Sequence, residues 1–427
     1  MKKTFTTDGS AALALPDRMR SIDQFRGLLL FLNALAYMIG GFNAILASIP
    51  SVVNGKGEFL LILLKGIPID DIFLPMFVFI MGLTACGSFK KLQETRGQTY
   101  ATRKFALKYL TLIGFGSVIM NGLAEFCKSL LIDKKAFDTI KIGDQLGIIL
   151  FLITIPLFIF WLVTKIIKNK KLKKIAGWAI KIVWILGGIE TVVLIAADAG
   201  AKIVGGSGLG VWDVFQTIGF GGLLAVPFMG MNKWGKLTAA FALGILLTAF
   251  YHYGGFGDFV TPYKYIFNGG LFGGFGFAIA VLLGGYFRDV KDDNRHLLYW
   301  ISTAVVLAIP IVLVLGFNFV AARRGATPVY AFFAAGLGAA IWGVFNIIEK
   351  FFVPKYGFLG IPNYSFLRVW GGSSLLTYAL SMIIATLLGE FAKDASLPVA
   401  IIAVIVIMIA IYSLNHYLSA KGKHIKI

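Results

Sequence analysis

Charged side chains are scarce in this chain. Asp, Glu, Lys and Arg make up 14% of its 427 residues, against 58% hydrophobic residues. A soluble globular chain carries about 25% charged and about 45–50% apolar residues. That balance, with a mean hydropathy of +0.82, points to a membrane protein. Cysteine and histidine are scarcer still, with two and four residues. Cys86 falls in an expected membrane helix and Cys127 in an expected outer loop, which argues against a disulfide framework. No CxxC or Cys/His spacing offers a metal site, so no metal is expected. Walker A, nucleophile-elbow and HExxH signatures are missing. GGFGFA (273–278) has no strand context for a dinucleotide site and reads as a helix-packing patch.

What is present is long apolar runs. A helical span needs about 20 apolar residues. By that measure the expected fold is all-α and polytopic, a bundle of about twelve transmembrane helices. The expected extents are 27–48, 72–89, 105–123, 142–164, 176–196, 213–231, 236–252, 266–287, 298–319, 328–348, 366–389 and 397–418. The sixth and seventh are separated only by MNKWGK (231–236). The leader is polar and no small-x-small cleavage site follows it, so the first span is expected to be retained. The organisation is then a cytoplasmic leader and interfacial helix start (1–26), one transmembrane helical domain (27–418) and a basic cytoplasmic tail (419–427).

The net charge of +19 would suggest nucleic acid in a soluble chain. Its distribution gives a simpler cause. With the N-terminus inside, the inner segments hold 28 Lys and Arg residues and the outer loops 11, as the positive-inside rule requires. Both termini are therefore expected in the cytoplasm, and nucleic acid is not expected as a partner.

Several residues stand out against the apolar background. Asp23 and Arg26, in RSIDQFRG (20–27), are three apart and share a helix face. They offer either an ion pair at a helix start or a contact to a phosphate group. Asp70 and Asp71 precede a purely apolar helix that carries Pro75 in its first turns. Carboxylates at a helix N-terminus suit the dipole; in function, Asp71 would orient a base or bind a cation or amine. Of the four histidines only His252 sits at an outer helix end, between Tyr251 and Tyr253, and it is the candidate proton acceptor. Glu190 lies inside an expected span, with Asp198 eight residues on, and an intramembrane carboxylate is a functional candidate by default. Arg323 and Arg324 form a basic pair in an outer loop and could hold an anionic group. Arg368, beside Trp370, reads as a snorkelling anchor.

Two of these stretches resemble motifs of one family. RSIDQFRGLLL (20–30) resembles the opening motif of heparan-α-glucosaminide N-acetyltransferase and its bacterial relatives. DDIFLPMFVFIMG (70–82) is similar to their A-D-L-V-F-P-x-F-x-F-I-M-G. GGFGFAIAVLLGGYF (273–287), TPVYAFFAAGLG (327–338) and VWGGSSLLTYALS (369–381) resemble later motifs, and IGDQLGIILFL (142–152) matches only at Gln145. The match is specific over about the first 90 residues, looser over 265–390 and poor over 174–252. Asp23, Arg26, Asp71, Pro75 and Gly82 fall on motif positions.

The resemblance implies a transmembrane acyltransferase of the plasma (inner) membrane, bacterial in type. Its donor would be cytoplasmic acetyl-CoA or another acyl-CoA. Its acceptor would be an envelope glycan or a lipid-linked sugar, with membrane lipid around it. The chain departs from the family at the catalytic centre. The position of the active-site histidine is Leu61, and the expected asparagines fall at Tyr37 and Ser373. Leucine cannot accept a proton, so the family mechanism cannot run on these residues as aligned. A transporter or flippase without covalent chemistry, and a non-catalytic partner in envelope-polymer assembly, are the alternatives. Whether the chain forms a homo-oligomer stays open.

Overall fold

The computed structural model describes residues 20–42, 72–118, 122, 142–166, 170–203, 214–252, 270–317, 327–351, 366–372 and 374–420. Among these residues every regular element is helical. The helices are α1 (Arg20–Gly40), α2 (Phe73–Arg96), α3 (Gln98–Gly116), α4 (Ile142–Ile166), α5 (Lys170–Ile203), α6 (Val214–Ala225), α7 (Lys233–His252), α8 (Gly270–Asp292), α9 (His296–Phe317), α10 (Pro328–Phe351), α11 (Phe366–Gly372), α12 (Ser374–Phe391) and α13 (Leu397–Ala420). Among the described residues, six helices are long and apolar enough to cross a membrane: α1, α2, α5, α9, α10 and α13.

The helix ends follow local chemistry. Asn232 accepts the Gly235 N–H through its side chain at 2.8 Å and opens α7, which separates it from α6. Pro227 lies in a short 3₁₀ turn (Val226–Phe228) that ends α6. Pro328 is the first residue of α10, where its missing N–H costs nothing. The charged run after Phe89 was expected to be loop, yet α2 continues to Arg96 because KKLQETR contains no helix breaker. Only Gly97 interrupts the chain before α3, at φ 86°, a value that glycine adopts without strain.

Helix packing divides the chain into two compact units. Unit 1 comprises Met1–Leu63, Pro68–Ile80 and Leu337–Ile427; unit 2 comprises Leu64–Ile67 and Met81–Gly336. In unit 1, α1 packs against α11, α12 and α13. Its core joins Ala34 and Met38 of α1 to Trp370 of α11 and to Ala400, Val404 and Met408 of α13. The other face of α13 is apolar and uncovered, with Ile402 and Ile409 about three-fifths exposed. A long uncovered apolar face of this kind marks a membrane or partner surface.

In unit 2, α8 is held by α6 and α7, and α3 by α5 and α6, with α4 on α5. Gly114 of α3 meets the backbone of α5 at Trp184 and Gly188, and Gly188 in turn meets Leu110. Small residues that let backbones approach are the usual device for joining helices in lipid, where tails are as apolar as side chains. Ser117, just after α3, and Thr191 of α5 share a buried hydrogen bond of 2.6 Å along the same seam.

Candidate functional site

At one end of unit 1, α1 begins, α10 ends and α11 begins. The first N–H groups of a helix have no partner within it. Here the Ser21 N–H donates to Glu349 Oε2 at 3.1 Å, so a carboxylate from α10 meets the positive end of the α1 dipole. The Ser21 hydroxyl donates to Asn346 Oδ1 at 2.9 Å and accepts from Trp342 Nε1 at 3.3 Å. Asn346 Nδ2 donates back to the Trp342 carbonyl at 2.8 Å. The three side chains hold one another in place.

One turn into α1, Asp23 is 2% exposed, and Arg26 Nη1 lies 3.5 Å from its Oδ1. The resemblance motifs converge at this point. A Cβ on Gly27 would lie 2.5 Å from the Leu367 carbonyl carbon, and one on Gly371 would lie 3.1 Å from the Gly27 nitrogen. The opening motif and the VWGG motif therefore touch backbone to backbone. Arg368, three residues before Gly371, is buried. This corrects the expectation that it snorkels: the residue is packed within unit 1, where α11 lies against α1.

The packing of α11 on α1 places two arginines, Arg26 and Arg368, near one helix end with two carboxylates, Asp23 and Glu349. Buried charges are retained when they are paired. A guanidinium has five N–H donors in a planar fork that suits phosphate or carboxylate oxygens. Such an end can hold an anionic group if a carboxylate gives way or if spare donors face it.

No family model matches the chain, and no curated protein is similar to it.

The other expected site residues are not gathered by the described structure. Asp70, Asp71, Arg323 and Arg324 lie outside the described residues, as do Leu61 and Ser373. His252 is the last residue of α7, and its side chain lies outside the described residues. Glu190 sits within α5, half-buried, and among the described residues it has no hydrogen-bond or ion-pair partner. Tyr37, where the family pattern has asparagine, hydrogen-bonds Tyr378 between hydroxyls at 3.1 Å. Cys86 is a free, buried thiol. Among the described residues no group of His, Cys, Asp and Glu is placed to hold a metal ion.

Unit 2 holds a charged cluster that sequence reasoning missed. Lys236 of α7, 1% exposed, pairs with Asp289 of α8 at 2.5 Å. Around it Lys233 pairs with Asp293, and Arg288 with Asp292 at 2.7 Å. The Lys236 stem runs past Gly285 beside the Cys86 thiol. The hydrogen-bonded Lys233 ammonium holds the exposed Asp293 carboxyl below the usual carboxylate range. KWGK and RDVKDD read from sequence as solvated inner loops. Only the long-range pairing of α7 with α8 shows that Lys236 is buried, and no local spacing signals it.

Proposed function

We propose that this chain is a polytopic membrane acyltransferase-like protein of about twelve spans, with both termini in the cytoplasm. It moves an acetyl or other acyl group from cytoplasmic acyl-CoA to an extracytoplasmic envelope glycan or lipid-linked sugar, across a plasma (inner) membrane of bacterial type. The observation that carries this reading is the meeting of the opening motif with the final one. Gly27 and Gly371 bring Asp23, Arg26 and Arg368 to one buried helix end, a position suited to the phosphates of an acyl-CoA through charge-assisted contacts. A second pair of motifs also meets: Gly82 approaches the Val281 backbone of the glycine-rich span. In this reading Asp71 orients the acceptor or the base, and His252 accepts the proton that Leu61 cannot.

The test is the unfolding temperature of the purified protein with acetyl-CoA, free CoA and an unrelated nucleotide. A ligand that binds only the folded state stabilises it by about 2.7 kcal/mol at one hundred times its Kd. A saturable rise with acetyl-CoA, weakened by Arg26→Ala, is the expected result. No rise with either form of CoA ends the acyl-CoA reading. Unchanged product formation by Asp71→Asn removes that residue from the mechanism.

One observation favours a second reading, transport without covalent chemistry. Glu190 places a carboxylate in the apolar middle of α5, between Lys181 and Asp198, with no partner among the described residues, and such residues mark ion and substrate paths in membranes. Substrate movement that needs no acetyl-CoA, and that Glu190→Gln abolishes, distinguishes this reading from the first.

A further inference from the structure

The lysine-rich start of α5 is electrostatically unfavourable as it stands. KKLKK (170–174) places four lysines in the first turns of a helix, where the dipole is already positive and anions, not cations, are stabilised. Lys170 and Lys174 have no carboxylate partner among the described residues, and neither have Lys173 and Lys181. These four line one groove of about 390 Å³ between α4 and α5, together with Trp161 and Trp178. Lys173 lies over the Trp161 ring at 5.7 Å and Lys181 over the Trp178 ring at 6.0 Å. Gly177 leaves the floor open, since a Cβ there would meet nothing nearer than Trp161 Nε1 at 3.9 Å.

The groove opens onto an apolar wall. On α5, Ile175, Trp178, Ile182, Leu186, Ile189 and Val193 are all exposed. Their spacings of three and four residues put them on one helix face. At 1.5 Å per residue the stripe runs roughly 27 Å, close to the thickness of a bilayer's hydrocarbon core. Lys170, Lys173 and Lys174 stand at its end, at the depth of phospholipid headgroups, with Lys181 roughly 9 Å along the stripe from that end, and tryptophan is enriched at that boundary.

We infer that this groove binds the headgroup phosphate of an anionic membrane phospholipid, with the acyl chains lying along the exposed faces of α4 and α5. The occupant is a lipid and not a free phosphate because cationic and apolar surfaces are continuous here. The phosphate supplies the negative charge that the α5 start lacks, and the apolar stripe receives the chains. Basic pockets between membrane helices recognise anionic headgroups in this way.

The test uses the full chain purified in a neutral detergent. Its binding of short-chain phosphatidylglycerol, phosphatidylcholine and glycerol phosphate is measured by native mass spectrometry and by the shift in unfolding temperature. Saturable binding of phosphatidylglycerol is expected, at least about tenfold tighter than phosphatidylcholine and weakened by salt. The combined variant Lys170→Gln, Lys173→Gln, Lys174→Gln and Lys181→Gln removes the preference. Gly177→Leu fills the groove without changing charge and also weakens binding; it keeps the test open should the fourfold variant fail to fold. Equal binding of the two lipids by the wild type overturns the proposal. So does an undiminished phosphatidylglycerol preference in Gly177→Leu. Glycerol phosphate binding as tightly as the lipid overturns the lipid assignment.

Discussion

A single methyl group at Gly114 tests how the two helices of the α3–α5 seam are joined. In Gly114→Ala the new Cβ would lie 2.6 Å from the Trp184 carbonyl carbon and 2.8 Å from the Gly188 amide nitrogen. Carbon atoms in comfortable contact sit about 3.5–4.0 Å apart. Both obstacles are backbone, and the Trp184 carbonyl oxygen is nearer still, so no rotamer change relieves them and the helices must part by at least about 1 Å. A gap of that size forfeits up to about half of each dispersion well along the seam. Overpacking of this kind costs about 1–3 kcal/mol. The shift also stretches the 2.6 Å bond between Ser117 and Thr191, a further loss of about 1 kcal/mol. Alanine regains about 1 kcal/mol over glycine in helix propensity. The clash wins, and a net loss of about 2 kcal/mol is expected.

Gly316 of α9 is the control, since a Cβ there meets nothing within 4 Å. Gly316→Ala keeps the propensity gain without the clash and should leave stability unchanged or slightly raised. The assay is thermal unfolding of the full chain in detergent, followed by tryptophan fluorescence for wild type and both variants. If Gly114→Ala unfolds at or above the wild-type temperature, α3 and α5 are not in backbone contact and the reasoning fails.

Two further predictions concern the charged cluster of unit 2. Removing either partner of the Lys236–Asp289 pair leaves the other uncompensated, at a cost of up to about 3–5 kcal/mol for a buried pair. The costs should be unequal, because Lys236 is 1% exposed and Asp289 17%. Asp289→Ala, which strands the more buried charge, should lower the denaturant midpoint more than Lys236→Ala does; the reverse order would contradict the burial assigned here. The lowered pKa of Asp293 sets a pH dependence. Its contribution is complete above the unfolded carboxyl value of about 3.9 and is lost as pH falls through the lower folded value. Unfolding curves taken from pH 6 down to pH 2 should show less acid-side loss for Asp293→Asn than for wild type.

Helix positions were largely legible in the sequence because lipid leaves few alternatives: apolar runs of about 20 residues must become helices. The ends were less so. The extension of α2 to Arg96 lies in a charged stretch, where hydropathy carries no signal. The partition into two units was also invisible, since it depends on which glycines meet, and Gly27 looks the same as Gly40 in the sequence. At the candidate site, Asp23 and Arg26 could be paired from their spacing of three. Glu349, Asn346 and Trp342 could not be joined to Ser21, because contacts over such separations leave no periodic trace. Arg368 misled for the same reason: an arginine near a span's end usually reaches water, and only the long-range packing of α11 on α1 shows it to be buried.

The length of α5 has a mechanical consequence. Thirty-four residues make a rod of roughly 51 Å, while a bilayer's hydrocarbon core is about 30 Å thick. Tilt alone would have to exceed about 50° to hide the whole rod, beyond the range of about 0–40° found for membrane helices. One or both ends must therefore stand clear of the hydrocarbon as rigid levers. Any load taken up outside the membrane by such a projecting end would be carried along one continuous helix to Thr191 and to the glycine seam that α5 shares with α3.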